Sequence, residues 1–166
     1  MKHVIIIGGG FAGLSCAREL ARSSEFQITL IDKNNYQQFQ PLLYQVATAT
    51  LAPSNVAFNL RNTLRQRTNV DVKMAEVVSV DLITRTVVTR EGQEYQGDFL
   101  VLAAGSQANL FGTPGADRNS YPLYSLRDAE KLRSRIIAVL EAGSGSFTRP
   151  ERRTQLCNRG SWTHGS

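Results

Sequence analysis

Three glycines near the amino terminus have the spacing that phosphate binding requires. Gly8, Gly10 and Gly13 form a G-x-G-x-x-G pattern between an aliphatic run at residues 4–7 and a polar-apolar run at residues 14–22. The first glycine of such a pattern allows a sharp turn, the second lets backbone approach a pyrophosphate, and the third lets a helix pack closely on the strand. The amino end of that helix favours an anion, because its N–H groups lack partners and carry a partial charge of about +0.5. A glycine turn that binds nothing is the alternative.

One carboxylate stands where a dinucleotide site needs it. Residues 27–31 form a second apolar run that ends in Asp32, nineteen residues beyond Gly13. This is close to the spacing at which an acidic side chain accepts a hydrogen bond from a ribose hydroxyl. The order of strand, glycine loop, helix, strand and acid therefore favours a dinucleotide site over a merely structural turn.

The rest of the chain must supply the elements that position this site. Its patterns predict a short helix after Pro41 and an amphipathic helix over residues 55–66 with Ser54 as N-cap. They predict short antiparallel strands over residues 70–89, a strand at 93–96, an apolar strand at 98–106 and a loop at 109–120. A last helix is predicted at 125–142, with Asp128 in its first turn and an apolar face formed by Leu132, Ile136, Ile137 and Leu140. The strand at 98–106 ends in small residues, which leave room for a ligand beside the sheet. We expect an α/β fold of the Rossmann-like, dinucleotide-binding kind, with a parallel sheet and a small antiparallel β-meander.

Composition and charge argue against several other classes of protein. Most of the net charge of +5 comes from the last 24 residues, which hold four arginines against one glutamate, and the remainder has no basic stripe with interleaved aromatics. Cys16 and Cys157 form no C-x-x-C pair, so no metal or redox-dithiol site is expected. The longest apolar run, residues 99–104, falls far short of a membrane span of about 20 residues, and the amino terminus is unlike a signal peptide. We expect a cytoplasmic protein that does not bind nucleic acid.

A larger set of segments resembles one known family. The strings IIIGGGFAGLSCAREL, FQPLLYQVAT, EVVSVD, FLVLAAGSQANLFGTPG and SLRDAEKLRSRI, together with Asp32, are similar to the amino-terminal flavin-binding part of type II NADH dehydrogenases. These are single-subunit, respiratory-chain NADH:quinone oxidoreductases. The resemblance implies FAD held without a covalent bond, hydride transfer from NADH to the flavin, and onward transfer to a membrane quinone.

The same resemblance implies roles for individual residues. Gly8, Gly10 and Gly13 would hold the FAD pyrophosphate, and Asp32 would bind the adenosine ribose. Val77 matches the position where family backbone meets adenine, and residues 40–48 match the wall beside the flavin ring. Ala104 and Gly105 match a segment that usually reads A-T-G, here with Ala104 in place of threonine. No catalytic protein side chain is implied, because the flavin carries the hydride chemistry.

The resemblance covers about residues 3–142, and residues 1–142 are taken as the amino-terminal part of an FAD-binding domain. The family's second glycine fingerprint for NADH, its later Gly-Asp motif and its membrane-associated carboxyl-terminal helices have no counterpart in the sequence. The fold is therefore expected to be incomplete, and this chain alone is expected not to oxidise NADH. In full-length members the partners are NADH and quinone, and the carboxyl-terminal part would hold the protein on the inner face of the membrane. An inactive or free-standing dinucleotide-binding module is the other interpretation.

Residues 143–166 are expected to form an irregular, disordered tail, because they show neither helical nor strand periodicity. If one nucleotide is skipped at the codon for Thr154, the regrouped codons permit an apolar strand that runs into another G-x-G-x-x-G pattern. We therefore predict that the tail is a frameshifted reading of the NADH-binding part. Sequencing the DNA tests this: a shifted frame that lacks a glycine fingerprint, or that meets stop codons at once, would refute it.

Overall fold

The structure is a computed structural model and describes residues 1–144. Its strands are β1 (Lys2–Ile7), β2 (Phe26–Asp32), β3 (Tyr36–Gln38), β4 (Ala57–Asn59), β5 (Val70–Met74), β6 (Val77–Asp81), β7 (Thr86–Thr89), β8 (Glu94–Gln96) and β9 (Phe99–Leu102). Its α-helices are α1 (Phe11–Leu20), α2 (Leu43–Ala47), α3 (Leu60–Leu64), α4 (Ala116–Asn119) and α5 (Leu126–Ser144). The irregular tail expected from residue 143 falls largely on residues 145–166, which lie outside the described residues, while α5 itself continues through Ser144.

A four-stranded parallel sheet, in the order β5-β2-β1-β9, forms the centre of the fold. Both faces of β1 are buried, as expected of a central strand in a parallel sheet. Val4 and Ile6 pack with Leu14 and Ala17 of α1 on one face. Ile5 and Ile7 pack on the other face, in a cluster that includes Val87 of β7. The sheet therefore lies between the α1 layer and the three-stranded antiparallel sheet β6-β7-β8, which confirms the predicted parallel sheet and β-meander.

The strand Val70–Met74 corrects one sequence-based expectation. The alternating pattern of residues 70–89 predicted antiparallel strands throughout, yet β5 pairs in parallel with β2, with Ile28 opposite Val70 and Asp32 opposite Met74. Within residues 70–96, the antiparallel strands are β6, β7 and β8. Period-two alternation reports that a strand has two different faces, but it carries no information on the direction of the neighbouring strand.

The segment after Pro53 also differs from the helix predicted for residues 55–66. A 3₁₀ turn at Pro53–Asn55 is followed by β4, which pairs with β3, and only then by α3. The N-cap is Asn59, whose side chain accepts a hydrogen bond from the Asn62 N–H at 3.0 Å, and Ser54 is not the cap. Val56 and Leu60, whose spacing of four residues is typical of one helix face, are both buried, but in two different clusters. The two side chains therefore pack in separate parts of the core, and their spacing of four residues does not reflect one helix.

The last helix begins as predicted and packs differently along its length. Asp128 accepts hydrogen bonds from the N–H and the hydroxyl of Ser125, while the Ser125 hydroxyl accepts from the Asp128 N–H, which forms a capping box. Leu126 is buried in a cluster with residues of α2. The expected apolar face is wrong toward the carboxyl end, where Ile137 is 39% exposed and Leu140 is 67% exposed. The short α2 covers only the first turns of α5, so the later turns face outward.

Gly10, the N-cap residue of α1, and Gly13, in its first turn, provide a matched test of packing. A Cβ added at Gly13 would overlap the carbonyl oxygen of Gly8, whereas a Cβ added at Gly10 would have no atom within 4 Å. We expect Gly13→Ala to lower the free energy of unfolding by about 2 kcal/mol or more, as overpacking against backbone does. Gly10→Ala should cost less than about 1 kcal/mol, since φ at Gly10 is −72° and alanine adopts that value readily.

Urea denaturation followed by circular dichroism measures both changes. Equal losses of stability in the two variants would contradict the close contact between α1 and the end of β1.

Candidate dinucleotide-binding site

The glycine loop leaves β1 at the carboxyl edge of the parallel sheet and is held there by the neighbouring strands. The Gly8 N–H donates to the carbonyl oxygen of Ile31 at 2.8 Å, which ties the loop to the end of β2. Gly8 has φ of +102°, and an added Cβ would overlap the carbonyl oxygen of Ala103, the residue that follows β9. Only glycine satisfies both the backbone conformation and this contact. The first glycine of the pattern therefore permits the turn and also lets the segment after β9 pack against it.

The amino end of α1 is open on the side that Gly10 faces. Gly10 is the N-cap residue, no side chain caps the helix, and its first turn contains no acidic residue. The first N–H groups of a helix need partners from outside the helix, and they favour an anion. An added Cβ at Gly10 would meet nothing within 4 Å. The loop thus combines backbone donors with space beside them, and this arrangement fits a pyrophosphate group.

Asp32 holds the glycine loop with one carboxylate oxygen. Its Oδ2 accepts a hydrogen bond from the Gly9 N–H at 2.6 Å, and its Oδ1 accepts from the Asn34 N–H at 2.7 Å. A carboxylate offers about four lone-pair positions, so two remain for hydroxyl donors. Asp32 is partly exposed at the end of β2. The carboxylate can therefore orient the loop and still accept from a ribose.

The remaining predicted site residues follow two strands of the parallel sheet, β9 and β5, which end at this edge. Ala104 lies beside Gly8, with its Cα 3.1 Å from the position of an added Gly8 Cβ. Gly105 has φ of +74° and is exposed, with open space around it. The Ala75 N–H donates to the carbonyl oxygen of Asp32 at 2.9 Å and so brings the chain leading into β6 beside β2. Val77, at the start of β6, packs with the cluster of Ile5 and Ile7 beneath this edge.

Two residues that the sequence did not single out complete the loop. Gly9 supplies the N–H that Asp32 accepts, and an added Cβ there would lie 2.6 Å from Cδ1 of Leu60. Ala103 supplies the carbonyl oxygen against which Gly8 packs, and the Ala103 N–H donates to the carbonyl oxygen of Ile7 at 2.8 Å. In the sequence, the run of three consecutive glycines at residues 8–10 was the one feature that could have indicated a role for Gly9. Nothing in the local sequence indicates the contact with Ala103, because it joins segments about 95 residues apart.

The segment expected to lie beside a flavin ring contacts the start of α1. Phe39, just before residues 40–48, makes an edge-to-face contact with Phe11, with ring centroids 5.5 Å apart and an interplanar angle of 78°. Both rings remain partly exposed. Leu43 and Val46 of α2 are buried, whereas Tyr44 is 53% exposed. The segment is thus anchored beneath by aliphatic side chains and presents aromatic groups to the outside.

Other kinds of site find little support within residues 1–144. No group of three or more His, Cys, Asp and Glu residues in this range is arranged to hold a metal ion. The ring nitrogens of His3 lie 2.9 Å from the Gln96 carbonyl oxygen and 2.9 Å from the Thr29 hydroxyl, so this side chain joins β1 to its neighbours. Burial raises the pKa of the Cys16 thiol and so disfavours a reactive thiolate. None of the helices in residues 1–144 has the length and hydrophobicity to span a membrane.

Comparison with known proteins gives a consistent result. The type II NADH:quinone oxidoreductases NdhA and Ndh of Mycobacterium tuberculosis are each 38% identical to this chain over 157 residues and match 93% of it. The alignments cover 33% and 34% of those two proteins. The chain therefore spans about a third of the length of the curated relatives it matches.

Solved structures show the same partial coverage. The sulfide:quinone oxidoreductase of Aquifex aeolicus superimposes with a TM-score of 0.78 and 27% identity, over 85% of this chain and 33% of that one. NDH2 from Plasmodium falciparum in complex with NADH gives a TM-score of 0.76 and 25% identity, over 86% of this chain and 30% of that one.

One family accounts for nearly all of the described chain. Residues 2–145 match the family described as pyridine nucleotide-disulphide oxidoreductase. The match includes the parallel sheet, the glycine loop, Asp32 and the β-meander. The chain therefore belongs to the pyridine nucleotide-disulphide oxidoreductase family.

Proposed function

We propose that this chain is the amino-terminal FAD-binding part of an NADH:quinone oxidoreductase. The observation that carries the proposal is the open, uncapped amino end of α1 beside Gly10, with the Asp32 carboxylate next to it. Backbone N–H groups at the helix end suit a pyrophosphate, and a carboxylate suits ribose hydroxyls. A dinucleotide contains both a pyrophosphate and a ribose.

The residues that would hold FAD come from four segments of the chain. Gly8, Gly10 and Gly13 would shape the pyrophosphate site, and Asp32 would accept from the adenosine ribose. Val77 would offer backbone to the adenine, while Ala104 and Gly105 would form the opposite wall. When bound, FAD supplies the hydride-accepting chemistry, so the protein contributes binding, orientation and electrostatics. No nucleophilic side chain is required.

The residues that follow β2 indicate the class of electron acceptor. Family members that act on disulfides need a pair of reactive cysteines, and residues 33–48 contain none. The relatives from Mycobacterium tuberculosis are NADH:quinone oxidoreductases. We therefore assign NADH as the donor and a quinone as the acceptor of the whole protein. Its association with the inner face of the membrane would be peripheral, through parts beyond the region of similarity.

Binding of FAD against FMN tests the cofactor assignment. FMN has the flavin ring but lacks the pyrophosphate bridge and the adenosine, so the glycine loop and Asp32 would have little to hold. We expect the chain to bind FAD at least about tenfold more tightly than FMN, since tenfold corresponds to about 1.4 kcal/mol. Gly10→Ala should remove most of this preference, because its methyl group enters the space beside the helix end. Quenching of flavin fluorescence on titration measures both affinities.

Arg127→Gln, an exposed change on α5, serves as the control and should leave FAD binding unaltered. Equal affinity of the unaltered chain for FAD and FMN would refute the assignment of FAD to this loop.

Asp32 should distinguish a free ribose from a phosphorylated one. Its carboxylate accepts from a 2′-hydroxyl and repels a 2′-phosphate. We expect ADP to bind better than 2′-phospho-ADP by about tenfold, and we expect Asp32→Ala to erase this preference. Asp32→Asn is the matched variant: it keeps an oxygen acceptor for the Gly9 N–H while it removes the charge. Calorimetric titration with both nucleotides provides the measurement, and equal binding by the unaltered chain would remove Asp32 from the ribose site.

A further inference from the structure

Four arginines line a surface cavity at the opposite end of α1 from the glycine loop. We call it the arginine groove and define it by Arg18, Arg22, Arg65 and Arg67, with Asn62, Thr63 and Gln66 completing its lining. The cavity has a volume of about 380 Å³, which falls within the usual range for small-ligand sites. Arg18, the lining residue of α1 that is nearest to Gly10 in the sequence, lies eight residues beyond it, which corresponds to about 12 Å of helix. The groove is therefore separate from the dinucleotide site.

The groove forms because two helices end side by side on one face of the sheet. Leu14 and Ala17 of α1 share a buried cluster with Leu60 and Leu64 of α3. Arg18 lies in the last turn of α1, Arg22 follows its C-cap residue Ala21, and both residues line the cavity. Arg65 is the C-cap residue of α3, and the chain then turns, with the Arg67 N–H donating to the Leu64 carbonyl oxygen at 2.8 Å. Two pairs of arginines from distant parts of the sequence thereby converge.

The lining of the groove carries four positive charges and no carboxylate. Arg22 pairs with Glu19 at 3.1 Å, but both side chains are more than two-thirds exposed, so solvent screens this pair. With Glu19 counted, and with partial charges of about −0.5 at the carboxyl ends of α1 and α3, the net charge is about +2. An adjoining cavity shares Arg65 and Arg67 and adds Arg61, while its one acid, Asp71, pairs with Lys73 at 2.7 Å. The groove is thus a concentrated positive site.

The polar groups of the lining indicate which anion would fit. Guanidinium groups bind phosphate oxygens through paired N–H donors. Asn62 and Gln66 carry side-chain amides four residues apart, and these can donate to further oxygens. The lining contains no aromatic ring on which a base could stack. The chemistry therefore suits a chain of phosphate groups and not the base of a nucleotide.

We propose that the arginine groove binds a short chain of inorganic phosphate groups, for which tripolyphosphate is the probe. Four guanidinium groups around a concave site can surround several phosphates at once. A lone phosphate would engage only part of the set and so bind more weakly. The site works independently of the glycine loop, since different residues form it.

Calorimetric titration of the full chain with tripolyphosphate at low ionic strength tests the proposal. Arg18→Gln combined with Arg65→Gln removes one arginine from each helix and should weaken binding by at least about tenfold. The matched control is Arg127→Gln combined with Arg135→Gln, which removes the same charge from exposed positions on α5 and should leave binding within about twofold. Gly10→Ala should also leave tripolyphosphate binding unchanged, and this separates the groove from the dinucleotide site. Circular dichroism verifies that each variant is folded.

Three further probes decide what the groove recognises. In the Gly10→Ala variant, which weakens the dinucleotide site, the ATP binding that depends on Arg18 and Arg65 should be about as tight as tripolyphosphate binding, because the base makes no contact with the groove. Phosphatidylserine-containing vesicles and a short DNA duplex should show no binding that depends on Arg18 and Arg65. Absence of tripolyphosphate binding, an equal loss in the α5 control, or loss of binding in Gly10→Ala would overturn the proposal. Vesicle or DNA binding that the groove variant abolishes would overturn it in favour of a membrane surface or a nucleic acid.

Discussion

The fold depends on a close contact between backbone atoms at the start of α1. The carbonyl oxygen of Gly8 lies where a side chain at Gly13 would begin, and the carbonyl oxygen of Ala103 lies where a side chain at Gly8 would begin. Without these two contacts α1 could not approach the sheet, nor could the segment after β9 approach the loop. The same approach leaves the amino end of α1 pointing out of the sheet edge, where a phosphate group can reach its N–H groups.

Asp32 would link this packing to the proposed binding. Its hydrogen bonds to the Gly9 and Asn34 N–H groups are made within the chain, so the protein's own groups shape the loop. Preorganisation of this kind lowers the entropy cost of binding. Under the proposed function the carboxylate would serve both the loop and the ribose. An amide at this position would keep an acceptor for the loop but would lose the charge that favours the ribose hydroxyls.

Helix α1 presents a different chemistry at each end. Its amino end offers backbone donors shaped by glycines, and its carboxyl end carries Arg18 with Arg22 just beyond. The buried face between them, including Leu14 and Ala17, packs on the same strands throughout. One rigid element thus positions two anion-attracting regions on opposite edges of the parallel sheet, one built from N–H groups and the other from guanidinium groups.

Local sequence determined the features that lie within one short segment. The glycine spacing, the strand before it, the helix after it and Asp32 could all be predicted, because each depends on neighbours within about 30 residues. The tertiary structure alone decided the parallel direction of β5, the late start of α3 after Asn59, the contact of Gly8 with Ala103 and the convergence of Arg18 with Arg65. These features depend on how distant segments pack across the sheet, and hydrophobic periodicity records only which faces are buried, not what they are buried against.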